Sequence, residues 1–105
     1  MPLKISQDSD VKGLCKVTIE DDMTIYSINE IKNALSHQIE LYQKFDLDLS
    51  SVEEIDTAGI QLLLALRREF ISNSKELNIS AVSAEVTKLM KNYSINSLFN
   101  LGDNV

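Results

Sequence analysis

The feature that most constrains the fold is a change of hydrophobic period between residues 46 and 66. Residues 46–50 alternate polar and apolar side chains with a period of two, which is typical of a half-buried strand. Residues 60–66 form a Leu- and Ala-rich run whose composition and length favour a helix. The sequence therefore predicts a strand that passes into a helix across a turn at residues 51–59.

This turn carries a hydroxyl group among acidic side chains. Thr57 stands where we expect the helix N-cap, at which unpaired backbone N–H groups need an acceptor, and Asp56 suits the positive end of the helix dipole. Gly59 would let another backbone or a partner come close. Two interpretations follow: Asp56 and Thr57 form only a cap, or Thr57 presents its hydroxyl to a kinase or a partner. The turn also holds two further acids and an apolar anchor: Glu53, Glu54 and Ile55.

The turn and its surroundings resemble the signature of the STAS domain, the family of the anti-sigma-factor antagonists. The resemblance is carried by Asp-Leu-Ser at 48–50, by Val52 and by Ile-Asp-Thr-Ala-Gly-Ile-Gln-Leu-Leu at 55–63. Met-Thr-Ile-Tyr at 23–26, before a helix, is similar to a bacterial subgroup of free-standing STAS proteins. The likeness spans residues 14 to 99, and it implies that the phosphorylatable hydroxyl of the family falls on Thr57. It also implies a partner surface of nine residues: Asp21, Asp22, Thr24, Glu54, Asp56, Thr57, Ala58, Gly59 and Gln61.

The resemblance leaves two functions open. The first is a partner switch, in which the unmodified protein binds a serine/threonine kinase-type regulator, the kinase phosphorylates Thr57 and a phosphatase resets it. The antagonists commonly have a serine pair after the aspartate, whereas this chain has Thr57 and Ala58. The Asp-Thr-Ala-Gly form is also similar to the small cytoplasmic STAS subunit of a lipid-transport ABC system, in which the threonine contacts the ATPase. The second function is therefore a constitutive subunit of such a system.

Length and charge narrow the class of protein. The chain of 105 residues fits a single STAS domain spanning residues 1–105. Its net charge of −6 disfavours binding to nucleic acids and to anionic membranes. No apolar run approaches the roughly 20 residues of a membrane span, and residues 1–4 do not resemble a secretory signal, so we expect a cytoplasmic protein without direct membrane insertion. The single cysteine, Cys15, is expected to be a buried structural thiol.

Catalytic motifs are missing from the sequence. It contains no phosphate-binding glycine motif and no nucleophile-elbow motif, and its only histidine and only cysteine, His37 and Cys15, fall on different predicted elements. The adjacent acids at residues 20–22 suit a solvated loop better than a metal site. An acid/base pair of Asp56 with Glu20 or Asp22 lacks a supporting constellation. We therefore predict a non-catalytic binding module without a cofactor or metal.

The order of the predicted elements indicates an α/β fold. Strands are expected at residues 3–6, 14–20, 46–50 and 77–82, and helices are expected after a capping box at Ser27 and Glu30, from Thr57 to Ser72, and after a cap at Ser83. A short closing helix or turn is expected at 94–101. The predicted fold is STAS-like, with a four-stranded mixed sheet that opens with an antiparallel pair, continues with parallel strands and is covered by three to four helices. The functional rim is expected at the carboxyl ends of the strands, at residues 21–22 and 51–57.

Overall fold

A computed structural model describes residues 3–7, 14–95 and Phe99, and it describes residues 3–7 by their backbone only. The elements follow one another with strands and helices alternating after an opening pair of strands. They are β1 (Leu3–Gln7), β2 (Leu14–Ile19), α1 (Ile28–Ile39), β3 (Lys44–Leu49), α2 (Thr57–Ser72), β4 (Glu76–Val82) and α3 (Ala84–Asn92).

The sheet has the strand order β1-β2-β3-β4. Strands β2, β3 and β4 run parallel, with Val17 opposite Leu47 and Leu47 opposite Ile79. Because parallel neighbours need a long crossover, α1 and α2 occupy the two connections between them. Strand β1 lies antiparallel beside β2. The predicted α/β architecture is confirmed in its parallel strands β2–β4 and its three helices.

One continuous hydrophobic core lies between the helices and one face of the sheet. The buried side chains recur at every second position of β2 and β3, as the alternating pattern requires. Phe45 of β3 packs edge-to-face on Phe70 of α2, with ring centroids 5.1 Å apart. Helices α1 and α3 add Leu35 and Met90. The core residues of the two strands are Cys15, Val17, Ile19, Phe45, Leu47 and Leu49.

Several predicted boundaries need correction. Strand β3 begins at Lys44 rather than at residue 46, because the alternation of buried residues already starts at Phe45. The capping-box prediction at Ser27 is wrong: its backbone is helical and its side chain does not cap α1, because the hydroxyl donates to the carbonyl of Asp22. The predicted cap at Ser83 is confirmed, since its hydroxyl accepts from the Val86 N–H at 3.2 Å. Of the predicted closing segment, residues 96–98 and 100–101 lie outside the described residues.

Helices α2 and α3 end in the same way. The residue after each C-cap, Ser74 and Ser94, has a φ of 56°, in the left-handed region. The next N–H folds back onto the last turn, from Lys75 to the Phe70 carbonyl at 2.8 Å and from Ile95 to the Met90 carbonyl at 3.1 Å. These are Schellman motifs, and they fix the direction in which the chain leaves each helix.

Two further expectations concern burial. Cys15 is fully buried, which raises the pKa of its thiol, so the prediction of a buried structural cysteine is confirmed. Across residues 14–95, no helix has the length and apolar character needed to cross a membrane.

Candidate functional site

Two loops meet at the carboxyl ends of β2 and β3. Met23 of the first loop forms a parallel bridge with Ile55 of the second. The Met23 N–H donates to the Glu54 carbonyl at 2.9 Å, and the Asp56 N–H donates to the Met23 carbonyl at 3.2 Å. The structure thus brings residues 21–22 and 51–57 together at one rim, as predicted.

Carboxylates reinforce this junction in both directions. Asp22 Oδ1 accepts from the Glu54 N–H at 3.2 Å, and Asp56 Oδ2 accepts from the Ile25 N–H at 3.0 Å. Asp21 Oδ1 accepts from the Asp22 N–H at 2.7 Å, within the first loop. All three carboxylates belong to half-buried residues. They hold backbone N–H groups in a loop region where regular sheet pairing has ended.

Gly59 lies beneath the junction and is buried. A Cβ atom added there would come within 2.5 Å of the Met23 carbonyl oxygen and 2.7 Å of Ile55 Cγ1. The expectation that Gly59 permits a close approach is confirmed, and the backbone that approaches it is that of Met23 in the same chain.

Asp56, and not Thr57, is the N-cap of α2, so the predicted cap residue is wrong by one position. Asp56 has an extended backbone, and its Oδ1 accepts from the Ala58 N–H at 2.8 Å and from the Gly59 N–H at 3.4 Å. Thr57 is the first helical residue and is exposed. Its Oγ1 lies 2.8 Å from the phenol oxygen of Tyr93, which is 46% exposed at the C-cap of α3. The Thr57 hydroxyl therefore does not cap the N-terminus of α2.

A cleft of about 470 Å³ lies between the joined loops and α3. Its acidic wall is formed by Glu53, Glu54, Asp56 and Glu85, and Lys88 contributes a positive charge. Predicted site residue Thr24 lines the cleft as well, as does Tyr26, whose side chain is 96% exposed. The cleft residues from the loops and α3 are Thr24, Tyr26, Glu53, Glu54, Ile55, Asp56, Glu85, Lys88, Leu89 and Asn92.

Two other predicted site residues line a second depression, between α1 and α2. Ala58 and Gln61 line this groove of about 480 Å³ together with the basic residues Lys32 and Arg68. Five of the nine predicted partner residues therefore line one of two surfaces: Thr24, Glu54 and Asp56 line the acidic cleft, and Ala58 and Gln61 line the groove with basic residues. Asp21, Asp22, Thr57 and Gly59 line neither surface.

Sequence reasoning missed Tyr93 and Lys88. Tyr93 continues the apolar spacing of Val86, Leu89 and Met90, a pattern that is typical of the buried face of a helix, and its phenol group is the one sequence feature that indicates a polar contact. Within residues 14–95 and at Phe99, no cluster of three or more His, Cys, Asp or Glu side chains could hold a metal ion.

Comparison with known proteins gives two findings. The family model described as "Mlab, STAS domain" matches residues 8–101. The fold is similar to that of the Bacillus cell fate determinant SpoIIAA, solved in its phosphorylated form, with a TM-score of 0.70 and 12% sequence identity over 92% of this chain and 86% of that chain. At this identity the likeness concerns the fold.

Proposed function

The chain belongs to the STAS domain family, and we propose that it is a non-catalytic partner switch of the anti-sigma-factor-antagonist type, controlled by phosphorylation of Thr57. In this function the unmodified protein binds a kinase-type regulator, the kinase phosphorylates Thr57, and a phosphatase restores the binding form. The proposed location is the cytoplasm.

One observation carries the proposal: the residues that cap α2 and allow the close contact between the two loops are neighbours of Thr57 and not Thr57 itself. Asp56 caps the helix and Gly59 accommodates Met23, while Thr57 is exposed and does neither. A hydroxyl that the helix end does not need, at an accessible rim, is suited to modification. The fold likeness to SpoIIAA, a protein that exists in a phosphorylated form, supports the same choice.

Phosphorylation of Thr57 would act mainly on binding. It adds about −1.5 to −2 charges at pH 7 to a rim that already carries Glu53, Glu54 and Asp56. The N-terminus of a helix favours negative charge, so the fold is expected to tolerate the phosphate. A partner docked on this rim would meet the added charge directly, and its affinity would change.

The proposed partner surface comprises the nine residues predicted above. Thr57, Glu54 and Gln61 are exposed and available for contact, and Asp21, Asp22, Thr24, Asp56 and Ala58 are half-buried at the rim. Gly59 supports the surface from below.

The proposal is tested by incubating the protein with ATP and candidate histidine-kinase-like ATPases from its own genome, followed by intact mass measurement. We expect one added phosphoryl group, which Thr57→Ala abolishes. Ser51→Ala, which removes another exposed hydroxyl of the same turn, is the matched control and should keep the label. Thr57→Glu and Thr57→Ala should have opposite effects on partner capture if added charge controls binding.

Two results would overturn the switch. One is the absence of labelling together with equal loss of partner binding in Thr57→Glu and Thr57→Ala, which would make the hydroxyl a plain contact. The other is a phosphatase-insensitive complex with a membrane-associated ABC ATPase, which would identify a constitutive subunit.

A further inference from the structure

The hydrogen bond between Thr57 and Tyr93 connects the start of α2 with the end of α3. Its oxygen atoms are 2.8 Å apart, the two residues are 36 positions apart, and both are exposed. Either hydroxyl can donate. A contact between two exposed side chains adds little to the stability of the core, and this one lies at the proposed modification site.

The position of Tyr93 is set by its neighbours. Its backbone N–H donates to the Leu89 carbonyl at 3.2 Å, and the Schellman motif continues through Ser94 to Ile95, which is buried. Met90, whose carbonyl accepts from the Ile95 N–H, is also fully buried. The backbone of Tyr93 is thus held between a helical turn and a buried anchor, and its phenol oxygen lies 2.8 Å from Thr57 Oγ1.

We propose that Tyr93 is a positioning residue that recognises whichever group Thr57 carries. In the unmodified protein it binds the hydroxyl, and after phosphorylation its phenol donates a hydrogen bond to the phosphate. The inference rests on the proposed function, because it names the residue that reads the modification at the same site.

The chemistry of phosphoryl transfer determines which of the two residues, Thr57 or Tyr93, must donate the hydrogen bond. The bond between Oγ1 of Thr57 and the γ-phosphorus of ATP forms, the bond between that phosphorus and the β–γ bridging oxygen breaks, and ADP leaves. The hydroxyl proton passes to a base of the kinase. Thr57 then has no hydrogen to donate, so Tyr93 becomes the donor in any surviving hydrogen bond.

The phenol is suited to this task. Thr57 Oγ1 is already within hydrogen-bond distance of the phenol oxygen. In the phosphorylated residue the phosphorus is bonded to Oγ1, and the phosphate oxygens lie one covalent bond beyond it. Hydrogen bonds to a charged acceptor are shorter and stronger than those between neutral groups. An ionised carboxylate accepts hydrogen bonds and has no hydrogen to donate, so the carboxylates of Glu53, Glu54 and Asp56 cannot donate to the phosphate. Tyr93 therefore holds the phosphate towards α3 and slows its removal.

The experiment uses the 105-residue protein with phosphothreonine incorporated at position 57 during translation, so no kinase is needed. It compares the parent, Tyr93→Phe and the matched control Tyr26→Phe, which removes an exposed phenol that lines the neighbouring cleft. Each protein is treated with a broad-specificity serine/threonine phosphatase, and the rate of dephosphorylation is measured by intact mass. A ³¹P NMR titration supplies the pH midpoint of the second phosphate ionisation.

We expect Tyr93→Phe to lose phosphate about 12- to 160-fold faster than the parent, the factor that corresponds to the net contribution of one hydrogen bond to a charged group. Its ³¹P midpoint should be higher, because the lost donor favoured the dianion, and Tyr26→Phe should match the parent in both measurements. Equal rates and midpoints in the parent and Tyr93→Phe would overturn the inference. Because the phosphate is encoded, failure to find a kinase would count against the proposed function alone.

Discussion

Replacing Gly59 with alanine tests the close contact that joins the two loops of the site. Alanine is the better helix former, so propensity alone would make Gly59→Ala stabilising by up to about 1 kcal/mol. The structure predicts the opposite sign, because the new methyl group would lie 2.5 Å from the Met23 carbonyl oxygen. That oxygen is backbone and accepts a hydrogen bond from the Asp56 N–H, so it cannot move aside without disturbing the junction.

The magnitude follows from the crowding. Adding a methyl group to a packed site costs about 1–3 kcal/mol. Three atoms stand within 2.9 Å of the new Cβ, two of them in Met23 and one in Ile55, which places the expected cost at the upper end of that range. After the propensity gain is subtracted, we expect a net loss of about 1–2 kcal/mol in the free energy of unfolding.

Urea unfolding followed by far-UV circular dichroism measures this change. With a denaturant slope of about 1–3 kcal/mol per molar urea for a small domain, the midpoint should fall by roughly 1 M. Ala65→Gly, at an exposed position of the same helix, is the control. It should cost about 1 kcal/mol through propensity alone. A Gly59→Ala protein as stable as the parent, or more stable, would refute the steric argument.

Three further outcomes are expected. Ser94→Gly and Ser74→Gly should each stabilise the protein by up to about 1 kcal/mol in thermal unfolding, because glycine adopts the left-handed conformation at both positions without a Cβ penalty. Asp56→Ala should cost about 1–3 kcal/mol in urea unfolding, because it removes the helix cap and an acceptor for the facing loop, whereas Thr57→Ala should stay within about 0.5 kcal/mol. The Cys15 thiol should resist a thiol reagent until the protein unfolds, because it is fully buried. Burial raises the pKa of this thiol, so its contribution to stability is complete below the ordinary pKa of 9.0 and declines at higher pH, where the thiol of the unfolded chain ionises. Urea midpoints at pH 7 and pH 10, compared with those of Cys15→Ala, check this.

The sequence predicted the elements well where one face of each is buried. The period of two in β2 and β3 and the Leu-rich run of α2 place buried residues at the positions that the core uses. The sequence predicted the N-cap at Thr57, but Asp56 is at least as good an N-cap residue, and cap preference alone does not separate the two. Asp56 is the cap in the structure, and its second carboxylate oxygen also accepts from the Ile25 N–H, a long-range contact that local sequence does not reveal.

The other misses have the same origin. The capping-box spacing of Ser27 and Glu30 is present, but the Ser27 hydroxyl is occupied by the carbonyl of Asp22. Tyr93 has the helical spacing of a core residue, and its partner is Thr57 on another helix. Contacts between hydroxyls on separate elements depend on how the elements are placed, and a periodic pattern carries no information about that placement.

The bonds across the loop junction also affect when the site can first exist. They join residues 31 to 33 positions apart, and bringing such distant points together is opposed by chain entropy until β2 and β3 are paired. A nascent or partly unfolded chain therefore lacks this rim altogether. A protein that recognises the rim would bind only finished molecules, and by mass action each bound molecule would be protected against unfolding.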